Sequence, residues 1–196
     1  MNTRALSTSV GFAVLVLLLP GRASATEPQR GPEKVIAVLQ QIEKTMTASR
    51  YQHFPVVRPK RGEYFFDCSG MAAWVLRRSA PMARRVVGQP NGRRPLAVHF
   101  HKTIARIPPG KRRGPWYRVP DAASARPGDV LTWVRPPWFR SKNTGHVAFI
   151  VSQPRWNARG HVPGYLVRIA DASRYRHEND TRTKGQSGFG TGVLLI

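Results

Sequence analysis

The chain has 196 residues and a mass of 22.0 kDa, room for one domain of ordinary size. Its 32 basic and 10 acidic residues give a formal charge of +22, and an apolar share of 41% excludes disorder along the whole length. A single cysteine excludes a disulfide framework, an iron–sulfur cluster and any cysteine-rich zinc module.

The N-terminus reads as an address. Arg4 supplies a positive start, Val10 to Leu19 an apolar run, and Ala23-Ser24-Ala25 a small-residue cleavage site, so cleavage is expected after Ala25. That run is too short to cross a bilayer core of ~30 Å, which needs ~20 residues. The expected product is exported, periplasmic or secreted, and losing Arg4 and Arg22 leaves it a charge of +20. Such a charge suits an anionic envelope polymer or a membrane surface, and export argues against nucleic acid. No basic helix or aromatic-interleaved stripe stands out, so a solvated basic face explains the composition equally well.

Residues 26–32 read as a flexible leader to a domain over 33–196. Glu33–Ser49 places Val35, Val38, Leu39, Ile42 and Met46 at helical spacing. The stretch 50–64, with Pro55 and Pro59, reads as irregular. A mostly buried helix is expected over Met71–Arg78, opening at Asp67 or Ser69. The stretch 81–95 reads as a loop, Leu96–Ile107 as a short helix and 108–115 as another basic loop. Strands follow at 130–134, after the turn Pro127-Gly128-Asp129, and at 146–151, 165–170 and 193–196. Helices first and strands after predict an α+β fold with an antiparallel sheet.

The lone cysteine stands in Asp67-Cys68-Ser69-Gly70, with a helix following at once. A thiol in the first turn of a helix feels the positive end of the helix dipole, which favours the thiolate, most strongly beside a histidine. Free cysteines are more often inert core residues, but a core position has no need of a polar helix-opening turn. Among six histidines, His146 begins a strand after the turn Asn143-Thr144-Gly145. If 146–151 and 165–171 form a symmetric hairpin, His146 lies opposite residue 170 or 171, which sets Asp171 beside it. Cys68, His146 and Asp171 are thus candidates for nucleophile, base and orienting carboxylate. His177 is the alternative orienting group. His99 and His101 would face different sides of a helix with no carboxylate in that segment, which speaks against a metal there.

Asp67-Cys68-Ser69-Gly70 before a helix, Pro127-Gly128-Asp129 before a strand, then Gly145-His146-Val147 resembles the NlpC/P60 family of papain-like cysteine peptidases, over residues 33–196. The resemblance implies a papain-like fold with N-terminal helices on an antiparallel sheet. It also implies cleavage of amide bonds in peptidoglycan stem peptides, commonly between D-glutamate and a diamino acid, with no metal or cofactor. Cys68, His146 and Asp171 take the catalytic roles, Asp171 standing where the family most often has histidine. Tyr51 becomes the oxyanion-site tyrosine, with Tyr64 the alternative and the family's Gly-Gly element absent from 52–63. Asp67 and Ser69 would hold the substrate's free amine. A monomer is expected. Two other readings remain open: a non-catalytic basic envelope-binding protein on the same fold, and a thiol amidase or acyltransferase with another substrate.

Overall fold

A computed structural model describes residues 31–88, 94–138, 140, 143–158 and 162–196. The expected signal peptide, and the leader up to residue 30, lie outside the described residues. Among those described, no helix is long and apolar enough to cross a membrane.

Helix α1 (Gly31–Thr45) begins inside the expected leader, with Pro32 in its first turn, where a missing N–H costs nothing. It buries Val35, Leu39 and Ile42 on one stripe and stops short of Ser49. The chain turns there because the Thr47 and Ala48 N–H groups both donate to the Gly62 carbonyl, which carries the backbone into β1 (Ala48–Arg50). The stretch expected to be irregular holds β2 (Val56–Arg58) and β3 (Glu63–Phe65), and the three short strands form a sheet in the order β1-β3-β2. Prolines flank β2 on both sides and keep it too short to show a period of two.

Helix α2 (Cys68–Ser79) is capped by Asp67, whose Oδ1 accepts from the Gly70 N–H at 2.7 Å. It opens at Asp67 as expected, its first residue standing three before the apolar run at Met71, and ends where Ala80 precedes Pro81. Every residue from Cys68 to Leu76 is buried, since α1 covers one side and the large sheet the other. The expected loop after Pro81 opens instead as α3 (Pro81–Val86), with the proline at the helix start. Helix α4 (Ala97–Ala105) follows, and His99 Nδ1 accepts the Leu96 N–H at 3.1 Å, so this histidine serves as a cap. Two-residue strands β4 (Arg112–Arg113) and β5 (Trp116–Tyr117) pair within the basic stretch that follows.

Four of the five remaining strands were anticipated. They are β6 (Val130–Val134), β7 (Gly145–Ile150), β9 (Gly164–Ser173) and β10 (Gly188–Leu195), antiparallel in the order β10-β9-β7-β6. The fifth, β8 (Arg155–Asn157), pairs with the start of β9. The chain is therefore α+β. Val147, Phe149, Ala170 and Ala172 enter the core with the helices, while Ala148, Ile150, Val167 and Ile169 form a second cluster closed by Ala125 and Leu131.

The symmetric hairpin is corrected by two residues. Phe149 pairs with Ala170 and Ile150 with Ile169, because β8 takes up part of the connection and makes it asymmetric. Continuing that ladder sets Asp171 opposite Ala148. A two-residue shift preserves the face, so His146 and Asp171 meet as diagonal neighbours.

Gly145 lets β7 begin where it does. Its φ is +141°, and a Cβ would stand 2.1 Å from the Trp133 carbonyl oxygen on β6. Gly145→Ala should therefore lower the unfolding free energy by roughly 1–3 kcal/mol, read by denaturant titration, and should displace His146; unchanged stability would mean that β6 yields at no cost.

Candidate active site

Each part of the site is held by a local rule. Cys68 is the first residue of α2, 5% exposed. Asp67 is extended and caps the helix, so the sulfur sits at the helix end rather than along its side. Gly70 is needed because a Cβ there would stand 2.9 Å from Pro55 Cγ and 3.1 Å from Asp67 Oδ1. His146 is the second residue of β7, its ring 4.9 Å from that of Trp133, directly across on β6.

The carboxylate of Asp171 organises the imidazole. His146 Nε2–H donates to Asp171 Oδ2 at 2.6 Å, and His177 Nε2–H donates to the same oxygen at 2.7 Å. An ionised carboxylate only accepts, so both rings must carry their proton on Nε2. His146 is left with Nδ1 for the neighbouring Cys68 sulfur, which acts on the ring electrostatically. The other oxygen, Asp171 Oδ1, accepts from Arg182 at 3.0 Å, and Arg182 also donates to Asp180 and to the Gly188 carbonyl. Asp171 is fully buried.

These contacts decide the charges. Burial works against the carboxylate, but the His146 and His177 hydrogen bonds outweigh it and hold Asp171 well below its ordinary range. Burial also works against the imidazolium, yet the bond to Asp171 and the neighbouring Cys68 raise His146 from 6.5 to about 10. The site favours a protonated imidazole beside the sulfur.

Tyr51, just past β1, is brought to the same place. Burial, then the neighbouring Cys68 and Asp67, push its phenol well above its ordinary value, so it remains an O–H donor. Tyr64 is not brought there: it is fully buried and its hydroxyl bonds to Thr45 Oγ1 at 2.7 Å. Asp67 and Ser69 flank the cysteine, but both side chains are buried and engaged. Arg94 reaches Asp67 with two bonds, at 2.9 and 2.6 Å, and Ser69 Oγ with a third at 2.8 Å. His53 Nδ1–H donates to Asp67 Oδ2 at 3.1 Å.

Arg94, His53, Arg182 and Asp180 were missed in the sequence, and His177 was weighed only as a substitute for Asp171. Nothing local marks Arg94, which stands in a basic loop and meets Asp67 across 27 positions.

A cleft of about 400 Å³ opens beside the imidazole, lined by Trp133, Arg135, Asn143, His146, Tyr175 and His177. A larger cavity of about 680 Å³, among Val35, Leu76, Trp116, Asp129 and Ile150, carries neither the cysteine nor a histidine. His146, Asp171 and His177 present ligand-type atoms within 4.8 Å of one another. A metal there would have to displace both N–H groups from Asp171 Oδ2 and stand beside the Arg182 guanidinium, so the donor set suits protons better than a cation.

No protein-family model matches the chain, nor does any curated protein or solved structure.

The pH dependence follows with opposite signs at the two ends. Asp171, lowered, contributes stability above its ordinary 3.8 that is lost as pH falls; His146, raised, contributes stability below 6.5 that is lost as pH climbs through about 10. Unfolding free energies of wild type and Asp171→Asn should therefore differ most near pH 5–6, and the difference should shrink toward pH 10 without vanishing, because Arg182 keeps its bond to the carboxylate. A difference that grows toward pH 10 would remove the ion pair from the account.

Proposed function

We propose that the chain is an exported cysteine hydrolase of the papain-like NlpC/P60 type that cleaves amide bonds in peptidoglycan stem peptides. The observation that carries this reading is the alignment of Cys68 at the head of α2 with an imidazole whose far nitrogen is fixed by a buried carboxylate. A basic binding protein would gain nothing from that alignment, and a buried ionised aspartate is costly to retain without a task.

The Cys68 thiolate attacks the substrate carbonyl, forming an S–C bond and a tetrahedral oxyanion. The Cys68 backbone N–H and the Tyr51 hydroxyl supply the donors that steady it. As the C–N bond breaks, protonated His146 gives its Nδ1 proton to the leaving nitrogen. The imidazole, now neutral, takes a proton from water as the water oxygen attacks the thioester. The acid leaves, and thiolate and imidazolium are restored. Because the leaving nitrogen must stand beside His146, the cleft among Trp133, Arg135 and Tyr175 receives the leaving-group side. Asp171 holds the ring throughout, and His177 and Arg182 hold Asp171.

Purified peptidoglycan incubated with residues 26–196 should release new stem-peptide fragments by mass spectrometry, and Cys68→Ala should release none while folding normally. A wall left intact by a protein whose Cys68 alkylates rapidly at pH 6 would move the chemistry to another amide. Tyr51→Phe should keep the KM and lower kcat by about 10²-fold, the usual effect of losing one oxyanion donor; an unchanged kcat would return that role to the backbone alone.

A further inference from the structure

The acyl side of the site is defined by what stands in front of Asp67. An ionised carboxylate has about four acceptor positions. Asp67 receives five hydrogen bonds: from the Gly70 N–H and Ser69 Oγ on Oδ1, from His53 on Oδ2, and from Arg94 on both oxygens. Ser69 Oγ gives its proton to Asp67 and accepts from Arg94, which leaves it no proton to give and little lone-pair density. The Asp67 side chain is 5% exposed, whereas Arg94 is 28% and His53 50% exposed. A substrate arriving beside Cys68 therefore meets the Arg94 guanidinium before the Asp67 carboxylate.

An ammonium placed there would find its acceptors saturated and a like charge in front of them. An acylated amine carries no charge and meets no such conflict. We infer, on the hydrolase reading above, that this enzyme takes substrates whose acyl-side amine is itself acylated, because the Arg94 guanidinium already occupies the Asp67 carboxylate. The substrate class is thus stem peptide still joined through its amino end, and a free amino-terminal peptide is the poorer substrate.

The test is a matched pair of probes: a stem-peptide fragment with a free amine on the residue preceding D-glutamate, and the same fragment N-acetylated. Wild type should cut the acetylated form with a kcat/KM roughly tenfold or more above that of the free amine, the scale of one mismatched charge. Arg94→Gln removes the guanidinium and leaves the Asp67 carboxylate under-matched, so the ratio should swing toward the free amine by a similar factor. Each ratio is taken within one preparation and is insensitive to the fraction folded. Equal or faster cutting of the free amine by wild type, or an unmoved ratio in Arg94→Gln, overturns the inference and leaves the hydrolase reading in place. If wild type cuts neither probe, calorimetric titration of Cys68→Ala separates the two ideas. Tighter binding of the acetylated probe supports the inference while the hydrolase reading falls, and equal, weaker or absent binding overturns it.

Discussion

The site depends on one buried charge. Asp171 lies near the end of β9 with no exposure, and its ionised form persists only because three donors converge on it from different parts of the chain. Removing water from a carboxylate costs several kcal/mol unless such partners replace it. The partners are therefore obligatory, and they fix more than the charge. His146 comes from β7, whereas His177 and Arg182 come from the segment between β9 and β10, so the carboxylate ties that connection down over the sheet. Arg182 extends the tie to the Gly188 carbonyl at the start of β10. Phe189 then donates its N–H to Ser49 Oγ, and Ser187 Oγ accepts from the Tyr51 N–H. A hydrogen-bonded path thus runs from the imidazole support to the segment that carries Tyr51.

The same economy governs the acidic residues elsewhere. With 32 basic residues and 10 acidic ones, most cations have no carboxylate to meet, and the buried carboxylates that are paired hold structure. Asp67 ties Arg94 and His53 to the head of α2, Asp180 ties Arg182, and Glu63 joins Arg58 and Arg61 on either side of the short helical turn before β3. Surface pairs such as those of Glu63 contribute little. The buried pairs are different, because removing one partner strands the other. The excess positive charge lies outside these ties, where it governs long-range attraction and not the fold.

What could be read beforehand was what neighbouring residues determine. Asp67-Cys68-Ser69-Gly70 announces a capped helix, and Gly145-His146 a strand that begins after a turn, each within four residues. The pairing of His146 with Asp171 was legible for a less direct reason: strand alternation makes the face robust to a two-residue slip. The exact register was not legible, because it depends on β8, whose three residues carry no periodic signal. The small sheet around β3 was hidden in the same way by strands of three residues each. Arg94 and Arg182 could not be singled out among so many arginines, since what distinguishes them is a carboxylate brought near by folding.

The geometry of the site and the stability of the fold are not separable here. Asp171→Asn would keep the shape and leave one acceptor oxygen, but its amide NH₂ must then face either the two imidazole donors or Arg182, and both are already donors. If the amide oxygen turns toward the rings, Arg182 loses its buried partner and retains only Asp180 and Gly188. If it turns toward Arg182, the NH₂ confronts His146 and forces it to the other tautomer, with the proton facing the sulfur in the neutral ring. Either rotamer damages one function of the carboxylate. An aspartate at this position therefore does what no neutral isostere can: it accepts from both sides at once.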